Sequence, residues 1–353
     1  MVHLSVEGEE SLNKLADQVV LEKNIPGFLF GVTSVDQELY LKTWGYNVIA
    51  ALQLLEQEKI TLETPVSDYL PEFSDLVIIE NQMAEVLTYK PTKTVMRYKH
   101  LLDYTCGLYY PSKEGDLPGI PVLFEPGENW ANGWGSDILG FMIEKITGQT
   151  LEKYLQDNVF KPLDITASFY LTPEIKEKLV DLTYRRGGQF ERWNNQSRII
   201  EQDPSKVACH MGGDGLYASL KGYLNLLRHL LRIKSGKITN GIISAESVQS
   251  IFEPSLHETA SNMLSRLLML DPSMPRDAVA QWGTAIGVTA TDWPGRRKKG
   301  SGFWWGWAHT FFHIDPSTGI ATVFGTQVIP MPDRDVFKIF ARFEETLYAG
   351  LAE

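Results

Sequence analysis

Leu39-Tyr40-Leu41-Lys42-Thr43-Trp44-Gly45-Tyr46-Asn47-Val48-Ile49-Ala50-Ala51-Leu52-Gln53-Leu54-Leu55 changes its hydrophobic period just after Trp44. Up to Trp44 the run is β-prone, whereas Val48, Ala51, Leu52 and Leu55 stand at i, i+3, i+4 and i+7, the spacing of one helix face. A strand therefore runs almost directly into a helix, with Asn47 as the expected N-cap. Upstream, Phe28 to Thr33 supplies a partner strand across the polar turn Ser34-Val35-Asp36-Gln37. Before it, residues 8 to 23 read as an amphipathic helix stopped by Asn24-Ile25-Pro26-Gly27.

Downstream the pattern is mostly helical. Leu139, Met142, Ile143 and Ile146 precede Thr147-Gly148, and Leu220, Tyr223, Leu224 and Leu227 follow Ser219. Strands return at His309 to Ile314 and Gly319 to Thr326, around a turn rich in Pro and Gly, and Val336, Ile339, Phe340, Phe343 and Leu347 give a final helix one apolar face. The expected fold is α/β: an antiparallel sheet built from both chain ends and flanked by helices, with an inserted, mainly helical subdomain. Residues 1–47 and 280–353 would form the sheet subdomain and 48–279 the helical one, within one integrated fold. No internal repeat is present.

The 353 residues, 43% hydrophobic and 22% charged, are ample for a buried core. A formal net charge of -11 argues against nucleic acid as a partner. The one basic run, Arg296-Arg297-Lys298-Lys299, reads as a solvated loop, with steering of an acidic ligand as the alternative. No window is long and apolar enough to span a membrane, and the N-terminus lacks a targeting pattern, so a cytoplasmic protein is expected. Two cysteines, Cys106 and Cys209, cannot form a disulfide framework and fit a reducing compartment. His309 and His313 would lie roughly 13 Å apart along a strand, too far to chelate one ion, so neither a metal nor another cofactor is expected. Of nine tryptophans, five fall in two windows, Trp130 and Trp134, then Trp304, Trp305 and Trp307; they read as core packing or as an aromatic ligand pocket.

Five segments, in order, resemble the serine β-lactamase-like family of penicillin-binding proteins, class C β-lactamases, esterases and fungal polyketide acyltransferases. They are Ala50 to Glu56 leading to Pro65-Val66-Ser67-Asp68-Tyr69-Leu70-Pro71; His100-Leu101-Leu102-Asp103-Tyr104-Thr105-Cys106-Gly107-Leu108; Phe124-Glu125-Pro126-Gly127; Gly212-Gly213-Asp214-Gly215-Leu216; and Gly300 to Pro316. The resemblance implies a serine at a helix N-terminus, a lysine one turn later, a proton-relaying tyrosine and backbone N–H groups for the oxyanion.

In that register the Ser-x-x-Lys pair falls on Leu41 and Trp44, as though the connection carrying the nucleophile were deleted. The sequence has a single Ser-x-x-Lys, Ser11-Leu12-Asn13-Lys14, which reads as surface helix. Lys234-Ser235-Gly236 imitates the family's Lys-Thr-Gly but follows a helix and reads as a loop. Trp130-Ala131-Asn132-Gly133 with Asp137 reproduces the tyrosine's frame with Asn132 in its place; asparagine orients ligands but does not remove protons. Gly302 to Trp307 corresponds to the family's pocket-edge strand. Asn132, Trp134, Trp305, Gly306, Trp307 and His309 are the pocket candidates, and Lys42, Cys209 and His210 are secondary ones; no catalytic residue is assigned. A cysteine beside a histidine could replace a lost serine, but neighbours in an extended segment point to opposite faces.

These readings favour a degenerate family member that binds or transforms a small apolar or acyl-bearing metabolite, in secondary metabolism, without Ser-x-x-Lys chemistry. One alternative is an active serine hydrolase or acyltransferase whose nucleophile segment is missing from the sequence. Another is a pseudoenzyme that binds a protein partner. Asn132 lies far from the gap, so a single lost segment does not explain both departures.

Overall fold

The computed structural model describes residues 2–40, 47–82, 84, 86–110, 117–193 and 201–352. The principal elements are α1 (Val6–Glu22), β1 (Leu29–Ser34), β2 (Glu38–Tyr40), α2 (Asn47–Glu56), α3 (Gly135–Thr147) and α4 (Leu220–Lys234). They are followed by β3 (Ala280–Trp282), β4 (Gly287–Thr289), β5 (Gly302–Gly306), β6 (Thr310–Asp315), β7 (Ile320–Gly325) and α5 (Arg334–Gly350). The strands form one antiparallel seven-stranded sheet in the order β3-β4-β5-β6-β7-β1-β2, so the two chain ends meet where β7 pairs with β1.

Alternation along β7 explains why both of its faces are apolar. Ile320 and Phe324 point to one side, where they join Phe30, Phe311, Leu12 and Val19 and the α5 residues Phe337, Phe340 and Phe343. Ala321 and Val323 point to the other, against the core that contains Tyr223, Leu224 and Leu227 of α4. With helices on both faces, a predominantly apolar strand, with Thr322 buried and paired to His313, is the stable solution even in an antiparallel sheet. Local signals set the helix starts. The Ser5 hydroxyl accepts from the Gly8 N–H, Ser219 caps α4 through the Gly222 N–H, and Asp333 accepts from Asp335 and Val336 at the head of α5. Residues 48–279 also contain short strands, among them Leu76–Ile79 and Thr183–Arg186, that the helical reading did not anticipate.

The basic run is only half solvated. Lys298 and Lys299 are exposed, but Arg296 and Arg297 are buried against Glu344, a fully buried carboxylate of α5. Arg296 donates from Nε and Nη2 to Oε2 at 2.8 and 2.6 Å, and Arg297 Nε donates to Oε1 at 2.7 Å. Trp293 lies 4.8 and 4.5 Å from the two guanidinium carbons. The solvated-loop expectation fails because a carboxylate on the inner face of α5 must be paired, and these two arginines are in reach. Burial alone would raise the Glu344 carboxyl; the Arg297 and Arg296 charges overcome it and hold the group ionised, far below the usual carboxylate range.

Removing one partner of a buried pair leaves charge uncompensated. Arg297→Met is expected to lose on the order of 3 kcal/mol in urea denaturation, whereas Lys299→Ala on the same run should stay within about 0.5 kcal/mol of the parent.

Candidate functional site

Three of the five segments singled out in the sequence, together with the Trp130 window, converge at the start of α3. The short helix Tyr98–Leu102 ends at Asp103, whose carboxylate accepts from the Thr105 N–H and hydroxyl at 3.0 and 2.6 Å. Between them Tyr104 adopts a left-handed backbone with φ of 58°. Its carbonyl accepts from the Ala131 N–H at 3.0 Å, which docks the Trp130 segment beside it. Gly133 is required there: a Cβ would lie 2.2 Å from the Leu108 carbonyl oxygen. The chain then enters α3, and Ser136 in its first turn is hydrogen-bonded through its hydroxyl to the hydroxyl of Tyr104.

The next residue, Asp137, is buried and fixes the glycine loop, accepting from the Gly213 N–H at 2.8 Å. Gly212 packs on the same turn, where a Cβ would lie 2.0 Å from the Ser136 carbonyl oxygen. The Gly300–Pro316 segment arrives through its aromatic rings. Trp304 of β5 sits edge-on to Trp282 at 4.6 Å and to Trp130 at 5.8 Å, and stacks on Trp305 at 5.0 Å. Tyr104 lies 5.0 Å from Trp282 and 6.2 Å from Trp130. A half-buried pair of hydroxyls is thus set against a wall of three tryptophans.

Burial keeps the Tyr104 hydroxyl protonated. Burial raises the Tyr104 phenol to about 12, its hydrogen bond with Ser136 opposes this, and the Asp137 carboxylate raises it further. Burial also raises Asp137 to about 6, against the Gly213 N–H and with repulsion from Asp214. Among the described residues no cation pairs with Asp137. The cluster can donate hydrogen bonds to an uncharged oxygen; it offers no strong base at neutral pH. No group of three or more His, Cys, Asp or Glu side chains able to hold a metal occurs among the described residues, and no helix there is long and apolar enough to cross a membrane.

The sequence candidates are distributed unevenly around this centre. Asn132 is exposed between Ala131 and Gly133. Trp134 is partly exposed and meets Tyr110 edge-on at 4.9 Å, with the Tyr110 hydroxyl donating to the Gly133 carbonyl. Trp305 faces Trp304 on one side and Phe337 of α5 on the other, so it serves wall and core together. Gly306 is exposed at the end of β5, and Trp307 beyond it packs on Trp193 at 5.6 Å. Strand β5 is not an edge along its whole length: β4 pairs with Gly302 and Phe303, and only from Trp304 onward does it lack that partner.

His309 does not face the pocket wall. It is fully buried, Nδ1 donates to the Val328 carbonyl at 2.7 Å and Nε2 accepts from the Asp333 N–H at 2.9 Å, an arrangement that fixes a neutral ring and ties the turn before β6 to the head of α5. His210 is likewise engaged on both sides, by Glu144 at 3.1 Å and the Tyr170 hydroxyl at 3.0 Å, whereas Cys209 beside it is exposed. The two do not form a cysteine-histidine pair. Lys42, and the Leu41 and Trp44 positions of the family register, lie outside the described residues. Ser11 and Lys14 are exposed on α1, and Lys234-Ser235-Gly236 forms the end of α4 and the loop after it.

Tyr104, Ser136 and Trp282 were not among the sequence candidates. Tyr104 lies inside the His100–Leu108 segment, and Ser136 directly follows the Trp130 window, so nearness to both motifs was an available signal. Trp282 carried none, because its role depends on which strand neighbours β5.

A sheet assembled from both chain ends, a long helix-rich insert and an aromatic β5 facing the start of α3 define the class of β-lactamase and penicillin-binding-protein folds. The chain belongs to the Beta-lactamase family, whose model matches residues 12–336. It is 25% identical over 337 residues to the ML-236A carboxylate methylbutanoyltransferase of Penicillium citrinum, covering 85% of this chain and 78% of that one. It is also 25% identical over 333 residues to the monacolin J acid methylbutanoyltransferase of Aspergillus terreus, covering 85% and 79%. Among solved structures, a mutant simvastatin synthase from Aspergillus terreus superposes with a TM-score of 0.83 at 23% identity over 98% of both chains. A hydrolase with promiscuous acyltransferase activity superposes with a TM-score of 0.76 at 18% identity over 97% and 98%.

Because the Asp137 carboxyl is raised from an unfolded value near 3.9 to about 6, its effect on stability is fully favourable below pH 4 and is lost as pH rises through 6. Asp137→Asn keeps an acceptor for Gly213 and removes that loss. It should raise stability at pH 7.5 by on the order of 1–3 kcal/mol, read as a higher Tm, with the advantage shrinking toward pH 4.

Proposed function

We propose that this protein handles acyl groups on a small apolar metabolite, as an acyltransferase or esterase of secondary metabolism. The observation that carries this reading is the Tyr104 and Ser136 hydroxyl pair set against Trp130, Trp282 and Trp304, a polar point within an aromatic wall. With Trp130 and Trp282 buried behind it, an ester or ketone carbonyl on an apolar skeleton would meet the half-buried hydroxyl pair and the partly exposed Trp304. The reaction class is supported by relatives across most of the chain whose names are those of methylbutanoyltransferases. The division into a sheet unit, 1–47 with 280–353, and an insert, 48–279, is part of the same proposal: the hydroxyl pair belongs to the insert and Trp282 and Trp304 to the sheet.

A second reading has its own observation. The single Ser-x-x-Lys of the sequence is on the surface of α1, and Asn132 occupies the tyrosine's frame. On that reading the same wall binds the metabolite without forming an acyl-serine, and residual chemistry is slow.

Incubation of the purified chain with an acyl thioester and a polyketide alcohol tests the two together. Acyl transfer predicts a product heavier by the acyl group in mass spectrometry, and a fluorophosphonate adduct in intact mass. Binding alone predicts a raised Tm with the alcohol or its ester and neither product nor adduct. No product and no shift with any acyl-bearing compound would refute both.

A further inference from the structure

The helix-stopping segment Asn24-Ile25-Pro26-Gly27 does more than end α1. With the last turn of that helix it borders a half-open cavity of about 200 Å³, lined by Val20 and Lys23, by Ile25 to Phe28, and by Phe190. Phe190 reaches the cavity from the hairpin of Thr183–Arg186 and Gln189–Arg192, so the space lies between that hairpin and α1. Its walls are fixed from behind. Ile25 is buried in the core beneath α1 and α5, and Phe28 packs on Phe324 and Phe343 at 5.8 and 5.0 Å. The Arg185 guanidinium lies 4.5 Å from the Phe190 ring centre and is itself held by an ion pair with Asp333 and by the Asn24 carbonyl.

Size and charge together select the ligand. The volume is below the ~300 Å³ at which pockets for drug-sized molecules begin and above the ~150 Å³ that holds a benzene, so a chain of about six to eight carbons fits. Apolar surface is left in water at the rim, where Val20 is 63% exposed, and a chain lying there would cover it. Lys23 supplies a polar end. It lines the cavity, is exposed, and forms no ion pair among the described residues. The other charges nearby are already matched, Glu22 by Arg342 at 3.0 and 3.2 Å and Arg185 by Asp333.

Independently of the acyl-handling reading, we propose that this cavity binds a short-chain aliphatic carboxylate, its alkyl chain between Val20, Phe28 and Phe190 and its carboxylate on the Lys23 ammonium. Occupation joins the end of α1 to the hairpin. At the base of that hairpin the Trp193 N–H donates to the Leu182 carbonyl at 2.9 Å, and the Trp193 ring packs on Trp307 at 5.6 Å. A bound acid therefore also steadies the contact between the hairpin and the end of β5.

Calorimetric titration of the full chain at pH 7.5 with straight-chain carboxylates from butanoate to decanoate measures the cavity by chain length. Affinity is expected to rise about three- to fourfold per added methylene as far as heptanoate or octanoate, then level off as further carbons stay in water. 1-Heptanol should bind about threefold less tightly than heptanoate, and Lys23→Ala should remove that difference by weakening the acid alone. A Cβ on Gly27 would have no atom within 4 Å, so Gly27→Leu is expected to keep the parent Tm, fill the cavity and abolish heptanoate binding. Bound heptanoate should also slow hydrogen exchange in Thr183–Arg192. Affinity that keeps rising to decanoate, equal binding of heptanol and heptanoate, or heptanoate bound alike by the parent and Gly27→Leu overturns the proposal. So does failure of every acid in the series to bind. Acyl transfer is read separately from product mass, so each of these results leaves that reading intact.

Discussion

Burying one carboxylate on the inner face of α5 constrains much of what surrounds it. Glu344 is shut off from solvent and has two oxygens to satisfy, so both guanidiniums of Arg296 and Arg297 are drawn beneath the helix. That fixes the segment between β4 and β5. A second tie runs from the same helix, where the Tyr348 hydroxyl donates to Asp315 at 2.8 Å, and Asp315 in turn accepts from the Lys298 N–H at 3.2 Å. Strand β5 begins only a few residues later at Gly302, so the position of Trp304 and Trp305 is inherited from this network. Its net contribution against a packed hydrophobic alternative is small. Its effect is specificity: a misplaced α5 would leave a charge buried and unpaired.

Much of the fold was readable from periodicity because its signals are local. The switch between Trp44 and Val48 marks the start of α2 at Asn47, Ser219 caps α4 as its type predicts, and the apolar stripe from Val336 to Leu347 is the buried face of α5. What failed was non-local. Arg296 and Arg297 look like surface residues until Glu344, 47 residues beyond Arg297, is placed opposite them. The short strands within 48–279 have too few residues to display an alternation; Leu76–Ile79 also pairs over longer connections, whereas Thr183–Arg186 pairs with Gln189–Arg192 across the tight turn Gly187-Gly188, a local signal the helical reading passed over.

The candidate site shows the same division. Its segments were legible as motifs, and the Trp130 and Trp304 windows do meet. Their meeting depends on Trp282, which joins them from a neighbouring strand that no spacing rule links to either. His309 illustrates the opposite error. A histidine after an aromatic strand resembles a pocket residue, yet its two nitrogens bridge Val328 and Asp333 within the fold. Ring nitrogens with two backbone partners are structural by geometry, and sequence does not display the partners.

The charge pattern separates binding from proton transfer at this centre. Tyr104 remains protonated to about pH 12, so it is a dependable donor and a poor base; Asp137 titrates near 6 but has its carboxylate turned to the Gly213 N–H. Tyr104 and Ser136 themselves therefore offer hydrogen-bond donors, and the nearby carboxylate of Asp137 is held by the Gly213 N–H. The rings and hydroxyls are fixed by packing and keep their places whichever proton acceptor stands beside them. Acyl chemistry needs the acceptor as well. Asn132 stands exposed beside the buried Trp130, where the resemblance places a proton-relaying tyrosine, and its amide supplies hydrogen bonds and no base.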